Sequence, residues 1–193
     1  SLAMPSLRPG TVTDRLIETL SLGKRSGFTI APEAGTERLR RVINKKITDS
    51  EIMQCCRKIL ENGWRTLKLY FMIGLPTETK ADLDGIISLI ESVLNLKKGK
   101  GKFRLNVTIS PFVPKPHTPF QWERQCGLKE LEEKERYLSE RVRDGRVNLH
   151  LRNPEVSVLE GILARGEESL WPVLVDVVDR GGRFEGWTDH FDF

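Results

Sequence analysis

Apolar and polar residues alternate along Leu67-Lys68-Leu69-Tyr70-Phe71-Met72-Ile73, with Leu67, Leu69, Phe71 and Ile73 falling on one face at period two. That spacing predicts a strand buried on one side. Gly74-Leu75-Pro76-Thr77-Glu78-Thr79 follows, where Gly74 permits a positive φ and Pro76 stops the strand. Thr79 then caps a helix whose third residue is Asp82. Leu83, Ile86, Ile87, Ile90 and Leu94 recur on it at helical spacing. A strand that turns through glycine into a helix N-terminus is a common way to hold a small ligand in an α/β protein.

The same alternation repeats on both sides of this unit. Strands are predicted near residues 2–7, 27–32, 66–73 and 103–110. Between them, Thr13 or Asp14 caps a helix carrying Leu16, Ile17, Leu20 and Leu22 and ended by Gly23. A second helix follows Ala34-Gly35-Thr36 and runs through Arg41. Thr48-Asp49-Ser50-Glu51 is a capping box for a third, with Ile52, Cys56, Ile59 and Leu60 inward and Gly63 closing it. A β-α-β-α-β-α-β order requires parallel strands and right-handed crossovers. In a doubly wound sheet both faces are covered and strands read as continuous apolar runs. Here one face is mixed: Thr29 and Glu33 oppose Phe28 and Ile30, Lys68 and Tyr70 oppose Leu69 and Phe71, and Asn106 and Thr108 oppose Val107 and Ile109. Helices on one side and a polar concave side predict part of a (β/α) barrel, a flat sheet being the alternative. Ser6, Arg8, Lys68, Tyr70, Asn106 and Thr108 are then candidate residues of a lumen open to substrate.

Past Trp122 the pattern changes. Residues 1–122 form the barrel part, and residues 123–193 a C-terminal α/β extension, mainly helical with one strand. A charged helix spans Glu130–Arg143, Val147–Leu151 alternates as a strand, and Ser157 is positioned to cap a short helix through Leu163. A last helix over residues 168–179 precedes Gly181-Gly182. The tail from Phe184 to Phe193 is aromatic enough to dock on the body or to lead into a further segment.

Composition narrows the function classes. The 193 residues are 38% hydrophobic and 30% charged, a soluble globular balance long enough for one core. No stretch reaches the length of a membrane span, so a cytoplasmic setting is the expectation. The net charge of +4 permits contact with RNA or anionic metabolites without demanding it; the run Lys97-Lys98-Gly99-Lys100-Gly101-Lys102 reads as a solvated loop. Three cysteines, Cys55, Cys56 and Cys126, lack the spacing of a disulfide framework or a metal site. Cys55 and Cys56 are expected to pack as small hydrophobes, and no metal ligand is assigned in the chain.

Three spaced motifs carry a resemblance. Ala31-Pro32-Glu33-Ala34-Gly35-Thr36-Glu37-Arg38, continuing to Val42-Ile43-Asn44-Lys45, resembles the segment after the fourth strand of radical S-adenosylmethionine enzymes. Gly74-Leu75-Pro76-Thr77-Glu78-Thr79 is similar to the glycine motif ending their fifth strand. Pro111-Phe112-Val113-Pro114-Lys115-Pro116-His117-Thr118-Pro119 resembles the segment after their sixth, with His117 where glycine is more usual. The match runs to about Trp122. It extends into the tail for an uncharacterised bacterial branch that often carries an upstream cobalamin-binding domain.

The resemblance implies roles. Glu33 would accept hydrogen bonds from the ribose hydroxyls of S-adenosylmethionine; otherwise it is a solvated loop acid. Lys45 would pair with the methionyl carboxylate or else lie on the surface. Backbone groups of Ile73, Gly74 and Leu75, and of Phe112, Val113 and Lys115, would meet the adenine. Arg38, Arg40 and Arg41 are expected on solvated helix faces, with one of them able to reach an anionic group. The family binds a [4Fe-4S] cluster through a C-x3-C-x2-C loop, and the reduced cluster cleaves the sulfonium to a 5′-deoxyadenosyl radical. This chain has no such loop. It is therefore expected to be an inactive piece, about strands three to six of the barrel, of a radical S-adenosylmethionine enzyme whose catalytic residues and substrate are unknown, RNA or a methyl acceptor being candidates. The other reading is a non-catalytic module binding a nucleotide or a protein through a degenerate site. An opening strand, Leu2–Leu7, with unpaired backbone groups would also favour a homo-oligomer through that edge.

Overall fold

The computed structural model describes residues 9, 13–21, 27–97 and 103–182. The predicted opening strand, with Ser6 and Arg8, and the aromatic tail lie outside the described residues.

Four strands, β1 (Phe28–Glu33), β2 (Thr66–Ile73), β3 (Arg104–Pro111) and β4 (Val147–Leu151), form one sheet in the order β1-β2-β3-β4. Every pairing is parallel. The connections carry α2 (Glu37–Val42) and α3 (Asp49–Glu61), then α4 (Lys80–Asn95), then α5 (Leu128–Arg141). Helix α1 (Asp14–Ser21) precedes the sheet, and α6 (Pro154–Arg165), a 3-10 turn at Glu168–Leu170 and α7 (Trp171–Asp179) follow it. This is the parallel α/β architecture of a partial (β/α) barrel.

Strand parity places the core. Ile30, Leu67, Leu69, Ile73, Leu105, Val107 and Ile109 are fully buried against Ile52, Cys56 and Ile59 of α3, Ile86, Ile90 and Val93 of α4, and Leu131 and Leu138 of α5. Residues of opposite parity, Thr29, Lys68, Asn106 and Thr108, are partly open, and Tyr70 is 37% exposed. Phe28 lies on the buried side and meets Trp64 edge-on, with ring centroids 5.1 Å apart.

Several local expectations hold for clear reasons. Thr48 Oγ1 accepts from Glu51 N at 3.2 Å while Glu51 Oε2 accepts from Thr48 N at 2.8 Å, the reciprocal cap of α3. Cys55 and Cys56 are buried on the inner stripe of α3. Two expectations are corrected. Helix α6 starts earlier than a Ser157 cap would allow, because Asn153 Oδ1 accepts from Glu155 N and Val156 N and Pro154 takes the first helical position. Arg40 is not solvated: it is fully buried. Its Nε donates to Ile47 O at 2.8 Å, its NH1 to Ala34 O at 2.9 Å, and its NH2 bonds Asp49. It thus ties the turn after β1 to the start of α3.

Strand β4 extends the β-α-β order one step beyond Trp122. Asn106 pairs with Asn148 and Thr108 with His150, so the open face continues onto it.

Candidate functional site

The turns that follow β1, β2 and β3 meet at the C-terminal end of the sheet, where ligands of parallel α/β folds bind. Ala34, Leu75 and Phe112, one from each turn, join Leu39 of α2 in a small apolar cluster separate from the main core. Ile43, Met72 and Phe120 pack against it, and Phe112 and Phe120 meet edge-on at 5.9 Å between ring centroids. The three sequence motifs therefore share one hydrophobic seat.

Close backbone approach builds the first turn. A Cβ on Gly35 would stand 2.1 Å from Asp82 O and 2.3 Å from Ile86 N, so only glycine lets this turn lie on α4. Asp82, almost fully buried, then ties the first two turns together. Its carboxylate accepts from Thr36 Oγ1 and Arg38 NH2, and from Thr79 N at 2.8 Å. Burial alone would raise the Asp82 carboxyl, but the hydrogen bonds from Thr36, Thr79 and Arg38 outweigh it and hold it below its ordinary range. Arg38 also donates to Thr77 Oγ1 at 3.1 Å and to Thr77 O at 2.9 Å, fixing a residue at φ 65°.

Gly74 takes φ +78°. Its N–H donates to both oxygens of Glu78 at 3.0 Å, and Glu78 is clamped by Lys134 Nζ of α5 at 2.7 Å. Burial opposes the Lys134 charge; the Glu78 hydrogen bond outweighs it and raises the lysine above its ordinary value. Ile73 O accepts from Phe112 N at 2.8 Å and Leu75 O from Glu78 N at 3.0 Å, so two backbone carbonyls of this turn already hold their neighbours. His117, where a glycine was the more usual residue, adopts φ 59°, the left-handed region that glycine favours.

Two predicted ligands come together at the rim. Glu33 ends β1 past a register irregularity, at φ 69°. Lys45 Nζ lies 2.8 Å from Glu33 Oε1, with side chains 26% and 27% exposed. The chain returns to this point because Asn44 takes φ 55° and Lys45 N bonds Arg40 O at 2.8 Å. Glu33 Oε1 is the carboxylate oxygen engaged by Lys45. Ile73, Gly74, Leu75, Phe112 and Val113 line the neighbouring strand ends, whereas the Lys115 ammonium turns outward to Glu160 of α6. Lys68, Tyr70, Asn106 and Thr108 share the open face below. Sequence reasoning missed Arg40 and the β4 residues of that face; the parity of Val147–Leu151 carried the signal for the latter.

The donor set suits the nucleoside part of a cofactor but not an iron–sulfur cluster. Burial raises the Cys55 thiol to about 11 and raises Cys56 further. Cys126, also raised chiefly by burial, sits against Gly74. Cluster ligation needs accessible thiolates. Among the described residues no group of three or more His, Cys, Asp or Glu could hold a metal ion, and none of the helices described is long and apolar enough to cross a membrane.

Comparison with known proteins places residues 6–90 in a match to the Radical SAM superfamily. The chain is also 36% identical over 166 residues to the uncharacterised protein MJ0966 of Methanocaldococcus jannaschii. The aligned part is 86% of this chain and 35% of that protein, so the chain spans about a third of its relative's length.

Proposed function

We propose, from the match of residues 6–90 to the Radical SAM superfamily, that the mouth of this sheet binds the nucleoside and methionyl parts of S-adenosylmethionine. One observation carries the reading: the three motif turns share a single apolar seat, with the Glu33–Lys45 pair partly open beside it. Glu33 accepts from the ribose diol, for which a carboxylate has enough lone pairs. Lys45, 2.8 Å from Glu33 Oε1, supplies the charge that would pair with the methionyl carboxylate. Backbone groups of the Gly74 and Phe112 turns present the adenine edge. A polar substrate, with RNA one candidate class, faces Lys68, Tyr70, Asn106 and Thr108.

These residues bind and orient. Reductive cleavage of the sulfonium requires cluster ligands that Cys55, Cys56 and Cys126 do not supply, so no catalytic step is assigned to the chain by itself. The second reading is a non-catalytic module that binds a nucleotide or a protein through the same turns. Cobalamin has no support among the described residues.

Calorimetric titration with S-adenosylmethionine and with ATP tests both. Glu33→Ala should weaken S-adenosylmethionine binding by about 1.5–3 kcal/mol, the worth of a charge-assisted acceptor. Unchanged affinity removes Glu33 from the site, and preference for ATP favours the second reading.

A further inference from the structure

The open face of the sheet is one-signed. Register aligns Lys68, Asn106 and Asn148 in one row, and Tyr70, Thr108 and His150 in the next. Arg152 follows by alternation, its N–H donating to Ile109 O at 3.0 Å. Adjacent rows and strands are separated by roughly 5–7 Å, close enough for neighbouring side chains to address one small ligand. Glu33 is the lone carboxylate among the described strand residues of this face, and Lys45 already neutralises it. Lys68 and Arg152 make no ion pair among the described residues.

We infer that this face takes an oxyanion-bearing small molecule, a phosphate or a carboxylate, and that His150 of β4 and Arg152 just after it supply part of its site. The inference rests on the open face being the substrate side of the site proposed above, and adds the substrate's charge class. Unpaired cations facing a concave surface focus a positive potential that draws in anions. Arg152 matches the planar geometry of either oxyanion, and Lys68 adds a point charge. Asn106 and Asn148 donate amide N–H groups, and Thr108 and His150 complete the donor set. A neutral substrate would leave both cations without counter-charge.

The test is an NMR titration of the full chain with three probes at matched ionic strength: pyrophosphate, succinate and glycerol. None contains a nucleoside, so the ribose acceptor Glu33 does not compete, and anion binding at Lys45 is told apart because the readout is at His150, Asn106 and Asn148. Saturable shifts of the His150 ring and of the Asn106 and Asn148 side-chain amides with pyrophosphate or succinate support the inference, and the stronger probe identifies the anion. Lys68→Met and Arg152→Gln, both on the open face, should each weaken that binding about tenfold or more, with circular dichroism and the unfolding midpoint unchanged. Absence of shifts with both anions, equal shifts with glycerol, or unaltered affinity in the double variant overturns it. Failure of the S-adenosylmethionine reading appears instead in the Glu33→Ala titration, which leaves these signals untouched.

Discussion

Lys45 Nζ stands 2.8 Å from Glu33 Oε1, and both side chains are about a quarter open to solvent. A pair this exposed contributes little to folding, about 0.2–1 kcal/mol in a double-mutant cycle of Glu33→Gln with Lys45→Met. Urea unfolding measures it. A coupling well above that range would make the pair a structural tie rather than a ligand site.

Arg40 is the contrasting case. With its side chain fully buried and three separate acceptors, Arg40→Met should destabilise by about 3–5 kcal/mol, since Ala34 O and Ile47 O lose their donors. Arg41→Met, whose side chain is 71% exposed, should cost less than about 0.5 kcal/mol. Denaturant midpoints of the two variants decide between a buried tie and three equivalent surface arginines.

Gly35→Ala tests the close approach of the first turn to α4. The nearest atoms to the added carbon are backbone, at 2.1 and 2.3 Å, so they have no rotamer to yield and the cost should reach about 3 kcal/mol. Gly145→Ala, with nothing within 4 Å, is the control and should be near neutral. The Gly35 variant should also lose S-adenosylmethionine affinity, because Thr36 and Arg38 would move away from Asp82.

Stability should fall as pH rises from about 4.5 to about 7. Burial first, and Glu132 second, push the Glu135 carboxyl from 4.5 up to about 7, and its Oε1 has no hydrogen-bond partner. The unfolded chain ionises at the lower value and the folded chain at the higher. Between them the folded state binds more protons, so stability is full below about 4.5 and declines until about 7. Glu135→Gln should abolish that slope and stabilise at pH 8 by about 1–2 kcal/mol after allowance for screening of a half-buried group. Urea midpoints across pH 4–8 measure it; an unchanged slope in the variant would show that Glu135 is not the titrating group.

Much of the architecture was legible because parity is a strong signal. Leu67, Leu69, Phe71 and Ile73 announced a one-sided strand, and the mixed residues opposite them announced an open face. The motif turns were legible as motifs, but their convergence was not, since a shared cluster of Ala34, Leu75 and Phe112 depends on the sheet's twist and register. Arg40 escaped notice because Glu37-Arg38-Leu39-Arg40-Arg41 is too short for periodicity to separate one arginine from another. What distinguishes it is a carbonyl at Ile47 and a carboxylate at Asp49, both supplied by the chain after the helix. The start of α6 was displaced because a serine within the apolar run masked Asn153-Pro154, the stronger start signal.

Asp82 has a wider consequence. It sits in the first turn of α4, which bears on Gly35 on one side and follows directly from the Gly74–Glu78 turn on the other. Any tilt of that helix therefore displaces the two turns in concert, like jaws on a common hinge plate. Lys134, reaching Glu78 from α5, passes the same displacement to the helix that leads into β4. A ligand gripped at the rim would be felt on the strand that carries His150.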